Sequence, residues 1–292
     1  MEPESMGEPS PISDEDFVRM AYQVIMQRRP DDGGVASWTE FLQEGNWRKR
    51  LVEAMVGSEE FRTLGTESLR TRLHWCRMTW ISSLPTGDDV LDIGGSSPSH
   101  PEGAMFQMEW TGRPSTMTIA DLPPDEQYHG RPAYSQDEPF VTDWGGRVVY
   151  VHSSGEDLVT SGVLDDRTFD GVFMGQVIEH LQIAAVPGVL EWIRDRLRPG
   201  GWFAFDTPNR AITELQTPDA FTDADHKWEY RANELVALLT DAGFRVESQA
   251  GIMPMPQSLA DRVWNAEETY SLPMVTSDPT TGYCLGFVAR PA

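Results

Sequence analysis

Apolar residues recur along this chain in two rhythms, and the change from one to the other divides it. From Ser13 the spacing is helical: Phe17, Met20, Ala21 and Val24 form one stripe, and Ser13 with Asp16 makes a start like a capping box. Val35, Trp38, Phe41 and Leu42 mark a second helix, and Leu51, Val52, Met55 and Val56 a third, with "RRPDDGG" and "QEGNW" as the breaks. Residues 13–64 are thus predicted to be a small all-α module. The preceding residues 1–12, rich in proline, serine and glutamate, are expected to form a disordered lead. A linking helix is predicted across 65–88, with Leu69, Leu73, Cys76, Trp80, Ile81 and Leu84 on one face and its end at Pro85 and Gly87.

Beyond it, short apolar runs alternate with helical ones. "DVLDIGG" (89–95), "TMTIAD" (116–121), "RVVYVH" (147–152), "FDGVFM" (169–174), "GWFAFDTP" (201–208), "FRVESQAG" (244–251) and "YCLGFVA" (283–289) read as strands. Val186, Val189, Leu190, Ile193 and Leu197 line a helix stopped by "RPGG", and Leu235, Leu238, Leu239 and Ala242 line another stopped by Gly243. The expected fold class for 89–292 is therefore α/β, a seven-stranded, mostly parallel sheet with helices on both faces. Ligands in such sheets bind at the carboxyl ends of the strands. The proline- and methionine-bearing stretch 252–282 is long enough to be a substrate lid or a dimer contact.

Charge narrows the partners. The formal net charge is −23, from 23 lysines and arginines against 46 aspartates and glutamates, and it repels polyanions, which makes nucleic acid an unfavoured partner. Cys76 and Cys284 are the only cysteines, too few for a disulfide framework and consistent with a reduced compartment. No apolar run reaches the length of a membrane span, and the acidic start lacks the regions of a signal peptide, so a cytoplasmic location is expected.

Where "VLDIGGSS" leaves the first strand, Asp92 closes the strand, and Gly94 and Gly95 let a ligand approach bare backbone. The second strand also ends in an acid, Asp121. A dinucleotide-dependent dehydrogenase would need G-x-G-x-x-G, whereas residues 94–99 read "GGSSPS". With "FDGVFMGQVIEHL" and "RLRPGGWFAFDTPN" following in order, residues 67–290 resemble class I S-adenosylmethionine-dependent methyltransferases with their Rossmann-like sheet. The resemblance implies that Asp92, Gly94 and Gly95 hold the methionine end of S-adenosyl-L-methionine and that Asp121 holds its ribose. Ser154 stands where the family usually carries an acid near the adenine, with Glu156 and Asp157 just beyond, and Gln176 closes the set of implied cofactor contacts. Ser96 and Pro98 replace later glycines of the family's loop, a departure that bears on the loop's shape and on cofactor affinity.

The stretch "GQVIEHL" places Gln176, Glu179 and His180 at i, i+3 and i+4, one face of a helical turn if a helix starts there. His226 follows in "DADHKWEY". A carboxylate, two imidazoles and an amide oxygen suit a divalent ion with open positions, magnesium or, given the imidazoles, more readily manganese, iron, cobalt or zinc. Such an ion has a task if the methyl acceptor is an aliphatic alcohol, whose pKa is roughly that of bulk water, about 16. The arrangement resembles the metal site of small-RNA 3′-terminal 2′-O-methyltransferases, E-x-x-E-H with a later "DH-x-[FW]-E", and is also similar to ubiquinone-pathway and actinobacterial sugar O-methyltransferases. Glu179, His180 and His226 match position by position, while Gln176 stands where the RNA enzymes carry glutamate. Glu179 and His180 are the candidate catalytic residues, and Asp223 and Asp225 are possible substitute ligands. The alternative is a metal-free site in which His180 is a general base or only a structural residue. Trp228 and Tyr230 suit core, pocket wall or a sugar-stacking surface equally.

The N-terminal block, through its Tyr22 helix, "RRPDDGG" turn, Trp38 and closing "SEEF", resembles a bacterial helical domain of unknown function found in surface-layer, haemolysin-like and glycan-related proteins. It implies packing or docking, to a partner or a second copy, rather than chemistry. The expected activity is O-methyl transfer to a sugar, glycan or other polyhydroxylated small molecule. RNA-end methylation, metal-free methylation of a small molecule and a non-catalytic cofactor-binding scaffold are the alternatives.

Overall fold

The computed structural model describes residues 13–25, 30, 32–45, 47–56, 58–124, 126–127 and 138–292. The lead expected over 1–12 lies outside the described residues. The chain divides into two compact units, Met1–Thr71 and Arg72–Ala292.

In the first unit α1 (Asp14–Ile25), α2 (Asp32–Gln43) and α3 (Arg48–Val56) pack on one another. The Asp16 amide donates to Ser13 Oγ at 3.0 Å and the Ser13 hydroxyl donates to the Asp16 carboxylate at 2.7 Å, so the first turn is capped as its sequence predicts. The stripe that α1 buries is Val18, Ala21 and Tyr22, with Ile25 partly covered, spaced i, i+3, i+4 and i+7. Met20, expected on that stripe, is 40% exposed. Leu42, Leu51 and Met55 complete the small core, with Trp38 edge-on to Phe41 at 5.4 Å. Helix α4 (Glu59–Ile81) starts before, and ends before, the 65–88 span predicted for it.

The second unit is built on a mixed sheet of β1 (Asp89–Ile93), β2 (Thr116–Asp121), β3 (Phe140–Val141), β4 (Arg147–His152), β5 (Phe169–Gly175), β6 (Leu197–Pro208), β7 (Phe244–Pro254), β8 (Val275–Thr276) and β9 (Gly282–Pro291). Their order is β3-β4-β2-β1-β5-β6-β9-β7-β8. The pairs from β4 through β2, β1 and β5 to β6 are parallel, whereas β9 runs antiparallel to both β6 and β7, so β7 points the same way as the parallel block. The sheet therefore has nine strands rather than the expected seven. All seven expected runs are strands, and the two additional ones, β3 and β8, are two-residue antiparallel edges too short to show any alternation.

Short helices α5 (Ala104–Gln107) and α6 (Asp157–Ser161) follow β1 and β4; α7 (Val186–Arg196), α8 (Arg210–Gln216), α9 (Ala232–Asp241) and α10 (Pro256–Asp261) complete the set. Period-two alternation sorts the strand residues onto two faces. One face presents Leu91, Ile93, Val172, Met174, Phe203, Phe205, Leu285 and Phe287 to Val189, Leu190 and Ile193 of α7 and Leu235 and Leu239 of α9. On the other face Trp80, near the end of α4, lies 6.5 Å from the Phe173 ring, and a β-carbon at Gly286 would come 2.6 Å from the Trp80 indole. The helices that cover the sheet leave the strand ends free for function. Stretch 252–282 is tied down rather than loose: Arg72 donates to the Thr269 and Leu272 carbonyls at 3.1 and 2.9 Å, Arg262 pairs with Glu214 at 2.9 Å, and Asn209 Nδ2 donates to the Gly282 carbonyl at 2.8 Å. Among the described residues no helix is long and apolar enough to cross a membrane.

Phe205 is fully buried and stacked between Phe203 and Phe287, with ring centroids 5.1 and 5.3 Å away. Phe205→Ala is expected to lower stability by about 3–5 kcal/mol, read as a drop in the denaturant midpoint. A loss below about 1 kcal/mol would mean that this aromatic stack does not anchor the sheet.

Candidate functional site

The carboxyl ends of β1, β2, β4 and β5 open into a cavity of about 640 Å³, within the range of roughly 300–1,000 Å³ usual for small-molecule sites. Gly94 lines it with φ +73°, and a β-carbon there would lie 2.4 Å from Val177 Cγ2, so glycine is the residue that keeps both the turn and the space. Asp121, at the end of β2, lines it too. Its Oδ2 accepts the Ser96 amide at 2.9 Å and its Oδ1 the Leu122 amide at 2.7 Å. Burial raises its pKa, against the pull of those two amides. Ser154 and Glu156, from the loop after β4, complete this side, with Glu156 Oε1 accepting the Gln182 amide at 2.6 Å.

Three residues implied as cofactor contacts do not line the cavity. Asp92 is 1% exposed and tucked under the glycine loop, where Oδ2 accepts the Met105 amide at 3.3 Å and burial pushes its carboxyl up to about 8. Gly95 lies against it: a β-carbon at Gly95 would sit 2.3 Å from Asp92 Cγ. Asp92 thus shapes the loop from below. Asp157 exchanges hydrogen bonds with Ser154, its Oδ2 accepting the Ser154 hydroxyl at 2.7 Å and its amide donating to Ser154 Oγ at 3.0 Å, which caps the start of α6.

Gln176 lines the cavity, but no helix starts at it. It has φ +57°, a left-handed conformation uncommon outside glycine, and its amide donates to the Asp206 carbonyl at 2.8 Å, prolonging the β5–β6 pairing by one residue. Only a single 3₁₀ turn follows, Ile178–His180. The shared helical face expected of Gln176, Glu179 and His180 therefore does not form. The Gln176 side chain instead donates through Nε2 to Asp206 Oδ2 at 2.8 Å, and Asp206 is held by Arg77 through Nε at 2.5 Å and Nη2 at 3.0 Å. That bond orients the Gln176 amide toward β6 through its nitrogen.

Glu179, His180 and His226 do come together, each offering a ligand atom within 4.8 Å of the others, with the two imidazole centroids 4.8 Å apart. Glu179 is fully buried; Oε2 accepts the Thr207 hydroxyl at 2.9 Å, and burial pushes the carboxyl up to about 7. His180 lines the cavity, and burial holds its pKa below the ordinary value, with the neighbouring His226 adding to the effect. The loop carrying His226 is clamped to the turn by the Glu179 carbonyl, which accepts the Lys227 amide at 2.7 Å and the Trp228 amide at 3.2 Å. Asp223 and Asp225 favour protonation of His180 electrostatically. Tyr230 is 3% exposed and belongs to the core, while Trp228 is 40% exposed.

Three participants escaped the sequence reading. Glu229 is 1% exposed and faces His226 Nδ1 at 2.8 Å; its signal was the final glutamate of "DHKWE". Arg77 and Asp206 had no local signal, because they meet only once α4 lies along the sheet.

Residues 70–249 match the family described as a methyltransferase domain, and residues 6–64 match a domain of unknown function (DUF4214). A Mycolicibacterium smegmatis protein described as "Probable S-adenosylmethionine-dependent methyltransferase" is 45% identical over 89 residues, which are 30% of this chain and 34% of that protein. The chain thus spans about a third of the length of this curated relative. Among solved structures, a chain from the Haloferax volcanii complex of the Trm112 methyltransferase activator aligns with a TM-score of 0.50 and 19% identity, over 79% of this chain and 95% of that one. Small RNA methyltransferase HEN1 aligns with a TM-score of 0.46 and 13% identity, over 77% of this chain and 25% of that one. At 19% identity the likeness to the Haloferax volcanii chain speaks for the fold alone. Because the match over 70–249 covers more than half of the 292 residues, the chain belongs to the methyltransferase domain family.

Proposed function

We propose that this chain moves the methyl group of S-adenosylmethionine onto a hydroxyl of a sugar, glycan or other polyhydroxylated small molecule, beside a divalent ion held by Glu179, His180 and His226. The observation that carries this reading is that His180 belongs both to the cavity lining and to the three-residue cluster, so the cofactor site and the donor set share a wall. The donors fit an ion. Glu179 Oε1 is buried without a hydrogen-bond partner among the described residues, a carboxylate oxygen that a cation would satisfy. Two imidazoles and one carboxylate favour manganese, iron, cobalt or zinc over magnesium.

When bound, the ion supplies positive charge that eases loss of an alcohol proton at neutral pH. The protein's own residues do the placing. Gly94 clears backbone for the methionine end of the cofactor and Asp121 offers its carboxylate to the ribose, while Gln176, anchored on Asp206, closes the wall between the cavity and β6. His180 faces the reacting end, with Glu179 buried beside it, and in-line approach of the hydroxyl to the methyl group dominates the rate. A sugar-like acceptor fits the charge better than an RNA terminus: the chain carries −23 overall, and Lys227 is the sole lysine or arginine among the described residues lining the cavity.

A second reading keeps the reaction and drops the ion. His180 is held neutral by burial at the edge of the cavity, which suits a general base.

Chelation separates the two. Turnover on a panel of methylatable sugars, followed as S-adenosylhomocysteine release, is expected to vanish with EDTA and return with manganese; undiminished turnover after complete chelation leaves His180 acting alone. His226→Ala is expected to remove the metal-dependent activity with S-adenosylhomocysteine affinity unchanged, and a joint loss of cofactor binding would reassign His226 to structure. Asp121→Ala is expected to weaken S-adenosylhomocysteine binding by about 10–100-fold in calorimetry, the worth of hydrogen bonds to a charged group. An unaltered affinity would place the ribose elsewhere.

A further inference from the structure

Behind the cluster lies a carboxylate that no catalytic step uses. Glu229 has a fully buried side chain held from two directions. Its Oε1 accepts the Thr222 amide and hydroxyl, each at 2.7 Å, and sits 2.8 Å from His226 Nδ1. Its Oε2 accepts the Thr213 hydroxyl from α8 and lies 3.5 Å from Arg210 Nη1 at the head of that helix. The threonine and arginine partners are all donors, so both carboxylate oxygens act as acceptors. The nitrogen facing it must then carry a proton. In a neutral imidazole this leaves the lone pair on Nε2, on the far side of the ring from Glu229.

The geometry points to Glu229 as the positioning residue of the site, holding His226 as the Nδ1–H tautomer with Nε2 turned toward Glu179 and His180. The inference deepens the proposed function and rests on its reading of the cluster. Threonines at 213 and 222 fix the carboxylate in place, so the ring is aimed by elements that never reach the cavity. Carboxylates behind ligating histidines raise the basicity of the ligand and fix its direction.

Long-range proton–nitrogen NMR spectra of the imidazoles, recorded on the metal-free full chain in mildly alkaline buffer, test this without any variant. The expected pattern for His226 is a protonated Nδ1 and a bare Nε2; a protonated Nε2 overturns the proposal. In Glu229→Ala the two tautomers are expected to mix, and manganese affinity, read from the free-ion paramagnetic resonance signal, to fall about 10–100-fold with S-adenosylhomocysteine affinity unchanged. Glu229→Gln, which retains an acceptor oxygen, is expected to lose less. Unchanged tautomer and manganese affinity in Glu229→Ala would also overturn it. A wild-type chain with the Nδ1–H pattern but no manganese binding supports the aiming role and removes the ion, so the two readings fail separately.

Discussion

The Glu179 carbonyl accepts two backbone amides, from Lys227 and Trp228, and the candidate site depends on that contact. His180 sits on the turn after β5, whereas His226 sits on the connection between α8 and α9, and nothing in chain order brings them together. A buried carbonyl needs partners, and here the partners are the two residues that follow His226. Satisfying the turn's backbone therefore delivers an imidazole to a buried carboxylate. The side-chain chemistry of the site rides on a main-chain requirement, which tolerates wide variation in the neighbouring side chains.

A second constraint works on the opposite wall. Arg77 and Asp206 form a bidentate pair whose carboxylate is fully buried, and Gln176 completes that carboxylate's partners. Burying an ionised pair is costly unless the remaining lone pairs are filled. An amide at position 176 fills one, whereas a second carboxylate would repel Asp206. This gives a physical account of why an amide suits position 176.

How much of this was legible follows from the range of each signal. Short apolar runs revealed the seven long strands, and the helical stripes of α7 and α9 were equally plain, because both signals lie within one element. Edges β3 and β8 lack the length for a repeat. In the site, Glu179, His180 and His226 were visible because motifs place them, yet the turn that carries Glu179 and His180 was read as a helix start: a left-handed φ at Gln176 leaves no mark when the residue is not glycine. The placement of Asp92 and Asp157 off the cavity lining was hidden for a related reason. A carboxylate near a loop looks the same in sequence whether it faces the ligand or bonds its own loop; here Asp92 accepts the Met105 amide and Asp157 the Ser154 hydroxyl. Glu229 was written into the motif, but only the fold shows which ring nitrogen it meets.

The contact beneath the glycine loop reaches beyond this one molecule. With only 2.3 Å between Asp92 Cγ and the place a Gly95 β-carbon would take, the two positions compete for one volume. An alanine at 95 is compatible only with a smaller or redirected residue at 92, so the pair should drift jointly across related genomes and resist change singly. Randomised libraries that vary the loop while holding the strand end constant would mostly sample dead sequences; varying both ends of that contact at once opens the route to a reshaped cofactor cradle.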